Sequence, residues 1–407
     1  IIKEKTTTKL KDGSELVSEL YYAENTITAP VLFARTPYGK EQYSSIASRL
    51  AEEGYIVMVQ DVRGTGESSG THIPFINEAA DGIESVEWIS GQKFYNGKIG
   101  MWGISYSGFC ASAVAELNSD LLNSIINIEG GTNLHRSLMP GGAFHLMLNL
   151  TWLHFSMSSR DSTLKKYKPL DLMNKIPLID GFKIINSEKE IEMIGRDLQN
   201  TNVRMPVVSK AATLHVTGWY DFFNVLTIDQ YQRSVNAKNK LIVGPWRHNQ
   251  MFTDNTKSGD EDFGPGAVMG MNKLVELMKD WFDYSLNNLN NNFTEQKDIK
   301  LFVMGKNSWE EFDRVAFEKP KEKTLYLGSK KGANSLNGDG GLDEKIETGL
   351  PNDTFTCNPL DPVPTFGGAL FHFYKDLNGV RDQSQIEQRT DVLVYSTPVL
   401  EEKMKIA

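Results

Sequence analysis

Lys98-Ile-Gly-Met-Trp-Gly-Ile-Ser-Tyr-Ser-Gly-Phe-Cys-Ala-Ser112 reads as a strand that turns directly into a helix. Ile99–Trp102 is a short apolar run suited to a buried strand, and Tyr106–Leu117 is a helix rich in small residues. Ser105 stands at the turn between them. A strand that passes at once into a helix cramps the backbone and pushes the turn residue's side chain out at the sheet edge. It also aims the helix's free N–H groups at whatever anion that side chain generates. Gly103 falls two residues before Ser105, where a Cβ would crowd the turn. Two residues after it, where G-x-S-x-G has its second glycine, stands Ser107, still small, followed by Gly108. Such a string also describes an ordinary Gly/Ser turn, so the rest of the chain must decide.

Outward from this stretch the pattern alternates. Residues 1–35 alternate as strands do, including Glu15–Tyr22 and Pro30–Arg35, with Asp12-Gly13 marking a hairpin turn between the first two strands. Tyr43–Gly54 reads as a helix, Tyr55–Gln60 as a strand buried on both faces, Glu78–Ser90 as a helix and Leu122–Ile128 as a further strand. The succession predicts a doubly wound α/β sheet. Residues 134–204 break it with helical periodicity and no clear strand, which predicts an inserted helical cap that includes the charged stretch Glu188–Arg196. Strands resume at Ala212–Thr217, Lys240–Val243 and Ile299–Met304. A long amphipathic helix is expected over Val268–Leu286 and a solvated loop over Asn287–Asn292. After Pro320 helical signals cease. Strands at Thr324–Leu327 and Val392–Tyr395 suggest the beginning of an all-β domain with too few strands to close a sandwich. The expected division is a core of residues 1–133 and 205–318, a cap of 134–204 and a partial β domain of 319–407.

The 407 residues carry a net charge of −9 without a basic block, which argues against nucleic acid as a partner. Cys110 and Cys357 are too few for a disulfide framework and suit a reducing cytoplasm. The chain begins at Ile1, so a removed leader would leave export open. The most apolar stretch, Gly141–Met157, is short and contains His145, Asn149 and His154, so no membrane span is expected. The stretch Asp61–Gly70 is glycine-rich but lacks the lysine and spacing of a phosphate loop. It reads as a tight turn beside the site. His135, His145 and His154 lack metal-ligand spacing, and no metal is expected.

A serine hydroxyl becomes a useful nucleophile when a base takes its proton, and that base needs an orienting carboxylate. On a sheet of this kind the three groups occur in the order Ser, Asp, His, each just past a strand. Strand 212–217 runs into Gly218-Trp219-Tyr220-Asp221, and strand 240–243 runs into Gly244-Pro245-Trp246-Arg247-His248. Asp221 and His248 therefore join Ser105 as the candidate triad.

The segments Gly-Ile-Ser-Tyr-Ser-Gly (103–108), Gly-Trp-Tyr-Asp (218–221) and Gly-Pro-Trp-Arg-His (244–248) resemble the CocE/NonD family of serine hydrolases. That family is related to the X-Pro dipeptidyl-peptidases and the α-amino-acid ester hydrolases. Arg35-Thr-Pro-Tyr-Gly-Lys40, the stretch 61–70 and Asp361-Pro-Val-Pro-Thr-Phe-Gly-Gly368 are similar too. The resemblance implies an α/β-hydrolase core, a helical cap and a C-terminal jelly roll, here incomplete. It also implies an oxyanion held by the Tyr106 backbone N–H and the Tyr38 hydroxyl, with no cofactor. The expected substrate is a small-molecule ester or amide; oligomeric state is left open.

Phe144, Trp152 and Phe155 in the cap, with Trp219, Phe222 and Phe223 after the strand bearing the acid, are candidates to line the substrate pocket. Enzymes that need a free α-amino group must place carboxylates near it, because a buried ammonium without a partner is costly. Here apolar side chains follow Asp221, which predicts uncharged acyl groups in ester linkage. Glu129, Asp161 and Asp171 are the carboxylates placed to supply a charge if the pocket has one. With such a charge the alternative is an X-Pro dipeptidyl-peptidase or α-amino-acid ester hydrolase. A catalytically silent binding protein is the remote third reading.

Overall fold

Side chains that alternate between two apolar environments are what a central parallel sheet demands, and the strands supply them. In β3 (Ala29–Thr36), Val31 and Phe33 face one core while Leu32 and Ala34 face the other. The same division runs through β4 (Ile56–Asp61) and β5 (Tyr95–Ile104). The computed structural model describes residues 1–118, 120–185, 209–234, 236, 238–314, 322–371 and 377–402.

The remaining strands of the main sheet are β1 (Ile2–Lys9), β2 (Glu15–Tyr22), β6 (Ser124–Ile128), β7 (Ala212–Tyr220) and β8 (Asn239–Arg247). After the two-residue ladder of β9 (Lys257–Ser258) with β10 (Glu261–Asp262) come β11 (Ile299–Val303) and β12 (Ser308–Phe312). The ten strands lie in the order β1-β2-β4-β3-β5-β6-β7-β8-β11-β12. Pairing is parallel from β4 through β11 and antiparallel at both ends. Helices α1 (Ser44–Glu52), α2 (Glu78–Ser90) and α3 (Tyr106–Leu117) follow β3, β4 and β5. One face is covered by α2 and α3. The long helix Gly270–Leu286, with Leu274, Met278, Trp281 and Phe282 on one stripe, covers the other together with α1.

Among the described residues between β6 and β7 lie four α-helices: α4 (Leu134–Leu138), α5 (Leu146–Arg160), α6 (Pro169–Met173) and α7 (Ile179–Ile185). Leu150, Leu153 and Met157 of α5 pack on Leu172 and Ile185, giving the cap a core of its own. The stretch Glu188–Arg196, the joins around residues 205 and 318, and Pro320 lie outside the described residues. No helix among the described residues is long and apolar enough to cross a membrane.

Two sequence expectations need correction. Val392–Tyr395 forms no ladder strand: Leu393 bridges Asn334 antiparallel, then Ser396 bridges Gly341 in parallel, so the segment changes partner before a ladder can build. The C-terminal region holds the expected β structure, the short ladder of β13 (Tyr326–Gly328) with β14 (Gly341–Asp343), beside a helical turn at Ser384–Glu387. The loop expected over Asn287–Asn292 ends early, because the Asn291 side chain caps a short helix at Asn292–Glu295. Edge strand β12 was invisible to apolar-run reading because Glu310 and Glu311 sit in its middle. The C-terminal region docks on the core: Val380 N–H donates to Ser258 O (3.0 Å) and Arg247 donates to Asn378 (2.9 Å).

Candidate active site

The turn from β5 into α3 holds Ser105 at φ 57°, ψ −120°, a left-handed backbone that a serine adopts only when its surroundings impose it. The imposing contact is steric. A Cβ at Gly103 would lie 2.1 Å from the Ser107 carbonyl carbon, so strand and helix approach as closely as glycine permits. Ser105 N–H donates to Ile128 O (2.8 Å), which fastens the turn to β6. Ser107 is tolerated in place of a second glycine because it is fully buried and its hydroxyl accepts from Tyr43 Oη (3.1 Å).

Asp221 and His248 sit just past the ends of β7 and β8. His248 Nε2 is 3.0 Å from Ser105 Oγ, and His248 Nδ1 is 2.8 Å from Asp221 Oδ1. Asp221 is fully buried. Its carboxylate also accepts from Thr217 Oγ1 (2.9 Å) and Phe223 N–H (3.1 Å), which fixes its orientation. A second carboxylate lies behind the imidazole: Glu129 Oε2 is 3.4 Å from His248 Nδ1. Burial pulls His248 toward neutrality, but the negative charges of Glu129 and Asp221 outweigh it and raise its pKa above the ordinary value. Glu129, Asp221 and His248 are a set of metal-ligand types gathered within 4.8 Å. Their facing atoms are already engaged with one another as an acid–base pair would be.

Tyr38 lies on the loop after β3, and two arrangements place it. Lys40, fully buried, donates from Nζ to Asp61 Oδ2 (2.8 Å) and Glu67 Oε2 (2.7 Å), while its backbone N–H donates to Asp61 Oδ1 (2.7 Å). Gly66 is required beneath this pair, since a Cβ there would fall 2.2 Å from Asp61 Oδ2. The glycine-rich stretch 61–70 is thus the clamp on the Tyr38 loop. From above, Trp152 Nε1 of α5 donates to Tyr38 Oη (2.9 Å), which leaves the phenol's own proton free to be donated elsewhere. Burial raises the Tyr38 pKa and keeps that proton in place. The Tyr106 N–H is one of the first donors of α3, left without an intrahelical acceptor. Its side chain is tied back by a hydrogen bond from Tyr106 Oη to Glu78 and one from Phe75 N–H to Tyr106 Oη (2.9 Å).

A cavity of ≈ 480 Å³ opens on Ser105 and His248. Phe144, Trp152, Phe155, Phe222 and Phe223 all line it, as do Phe75, Phe109 and Phe371. Trp152 lies nearly parallel to Tyr106 (20°, 5.8 Å) and to Phe75 (29°, 5.3 Å), forming an aromatic wall. Trp219 does not belong to it. Its indole turns to the far side, donates to Phe302 O (2.9 Å) and packs with Tyr231 and Leu241, because the chain bends between Gly218 and Tyr220. None of the three candidate carboxylates lines the cavity: Asp161 and Asp171 are exposed on the cap and Glu129 is buried behind His248. Phe371 and the placement of Glu129 behind His248 escaped the sequence. The first comes from an irregular segment, and the second depends on β6 and β7 being neighbours.

Residues 12–250 match the X-Pro dipeptidyl-peptidase (S15) family. Cocaine esterase of Rhodococcus sp. (strain MB1 Bresler) is 27% identical over 430 residues, spanning 98% of this chain and 74% of that protein. Two solved structures share the fold. An aminopeptidase from a marine sediment archaeon, Thaumarchaeota archaeon, has TM-score 0.72 at 17% identity over 98% of this chain and 72% of its own. A selenomethionine-labelled α-amino acid ester hydrolase has TM-score 0.71 at 20% identity over 98% and 73%.

Removing one partner of a buried ion pair strands the other charge. Lys40→Met should therefore lower stability by about 3 kcal/mol, at the low end of the buried range because Glu67 is half exposed. Urea denaturation measures it. A loss under about 1 kcal/mol would mean that the pair behaves like one on the surface.

Proposed function

The chain belongs to the X-Pro dipeptidyl-peptidase (S15) family of serine hydrolases, and on that premise we propose that it cleaves esters of uncharged, preferably aromatic, acyl groups through an acyl-enzyme. The observation that carries this reading is the aromatic cavity opening on Ser105 and His248. Among the described residues that line it there is no carboxylate and no lysine or arginine. An ammonium entering such a wall would lose its hydration without gaining a counter-charge.

In the proposed mechanism His248 takes the proton of Ser105 as its oxygen attacks the ester carbonyl, and Asp221 holds the imidazole in the required tautomer. The tetrahedral oxyanion receives hydrogen bonds from the Tyr106 N–H and the Tyr38 hydroxyl. His248 returns its proton to the leaving alcohol, then takes one from water as that water attacks the acyl-enzyme carbonyl, and passes it to Ser105 Oγ as the Ser105–acyl bond breaks and the acid leaves. The 3.0 and 2.8 Å contacts of His248 support the proton path, and the Trp152 bond supports Tyr38 as donor.

Ser105→Ala should leave a folded protein with hydrolysis near background; activity that persists would place the nucleophile elsewhere. Tyr38→Phe removes one donor and should lower kcat by about 10²–10³-fold with little change in KM. A kcat close to wild type would make Tyr38 structural. For specificity, kcat/KM of a phenyl ester is compared with that of its counterpart bearing an α-amino group on the acyl side. The uncharged ester should be favoured by roughly ten-fold or more, about 1.4 kcal/mol of transition-state binding. A preference of that size for the amino-bearing ester would contradict the reading in favour of an aminoacyl hydrolase.

A further inference from the structure

Neighbouring strands β6 and β7 each end in a buried carboxylate. Glu129 follows Ile128, the last residue of β6, and Asp221 follows Tyr220, the last of β7. Both are fully buried and both approach the same atom, His248 Nδ1, at 3.4 and 2.8 Å. Glu129 is held there deliberately. Its backbone is left-handed (φ 48°), its N–H donates to Val216 O of β7 (2.7 Å), and its Oε2 accepts the N–H of Asn249 (2.7 Å). Asn249 is left-handed as well (φ 64°). Two non-glycine residues in a disfavoured conformation are thus bonded to each other beside the base, an arrangement that persists only where the surroundings enforce it. Among the described residues Glu129 Oε1 has no hydrogen-bond partner, so this carboxylate is not consumed by a structural network of its own there.

We infer that Glu129 is a second acid of the base, a positioning residue that stands beside Asp221 at the Nδ1 of His248 and can take over the imidazole's N–H when Asp221 is removed. The inference rests on the triad reading above. Among the described residues, the groups facing the ring are Asp221 and Glu129, the Ser105 hydroxyl, and the uncharged rings of Phe222, Phe223 and Phe371. Two carboxylates therefore meet the imidazolium that forms as Ser105 attacks. Burial, with the like charge of Asp221, drives Glu129 toward its protonated form, and the imidazolium draws it back, so His248 and Glu129 titrate as a pair. The ionised form of Glu129, which the imidazolium favours, is what raises the His248 pKa, so its removal makes His248 harder to protonate and the acid limb of the rate profile moves to lower pH.

The test is the pH profile of kcat/KM on a phenyl ester for wild type, Glu129→Gln, Asp221→Asn and the double variant. The inference expects the acid limb of Glu129→Gln to fall by about one unit. It also expects the double variant to be far slower than Asp221→Asn, because the single variant keeps a working acid. An acid limb that stays in place in folded Glu129→Gln, or a double variant no slower than Asp221→Asn, overturns it. Should Glu129→Gln fail to fold, Asp221→Asn decides alone. A triad acid without a substitute costs about 10⁴-fold, so a loss of roughly 10³-fold or more overturns the inference and a smaller loss supports it. Failure of the triad reading itself shows separately, as hydrolysis that survives in Ser105→Ala.

Discussion

The close approach of Gly103 to the Ser107 carbonyl is the constraint on which the rest depends. With no Cβ at 103, β5 can run straight into α3, and the turn forces Ser105 into its left-handed conformation. That backbone lifts the hydroxyl off the sheet edge toward His248 and leaves the first N–H groups of α3 pointing at the same space. The strain of one residue is borne by a sheet buried on both faces, where Trp102 and Ile126 lie on one side and Met101 and Ile125 on the other. A turn of this kind on a loosely packed scaffold would relax.

Around this turn the chain arranges charge in two different ways. Lys40 and Asp61 are a buried pair that does no chemistry; they tie the loop carrying Tyr38 to the glycine-rich stretch below it. His248, Asp221 and Glu129 are a buried cluster left one cation short, since the ring is the only basic group that faces the two carboxylates among the described residues. The first arrangement stabilises position. The second stabilises a positive charge that exists only while His248 holds a proton. The rings of Phe222, Phe223 and Phe371 around His248 lower the local dielectric and strengthen the second.

Much of this was legible in the chain. The strand-turn-helix at 98–112 pointed to Ser105, and the strands expected at 212–217 and 240–243 pointed to the two partners just beyond them, because parallel strands buried on both faces betray themselves as continuous apolar runs. Cap aromatics Phe144, Trp152 and Phe155 were legible as pocket candidates from their place in the helical insertion. Trp219 was misread because sequence adjacency to Asp221 does not reveal which side of a bent strand a side chain takes. The position of Glu129 behind the imidazole was hidden for a related reason: strand order, not spacing, brings residues 129, 221 and 248 together. Val392–Tyr395 had the composition of a strand but no single partner.

The central claim is that Ser105 carries the acyl group during turnover. The direct measurement is rapid acid quench of the enzyme reacting with p-nitrophenyl benzoate, followed by peptide mapping by mass spectrometry. The account predicts a burst of about one equivalent of p-nitrophenol per chain. It also predicts an added benzoyl mass on the peptide that contains Ser105. Turnover without any covalent adduct, or an adduct on a different residue, would contradict it.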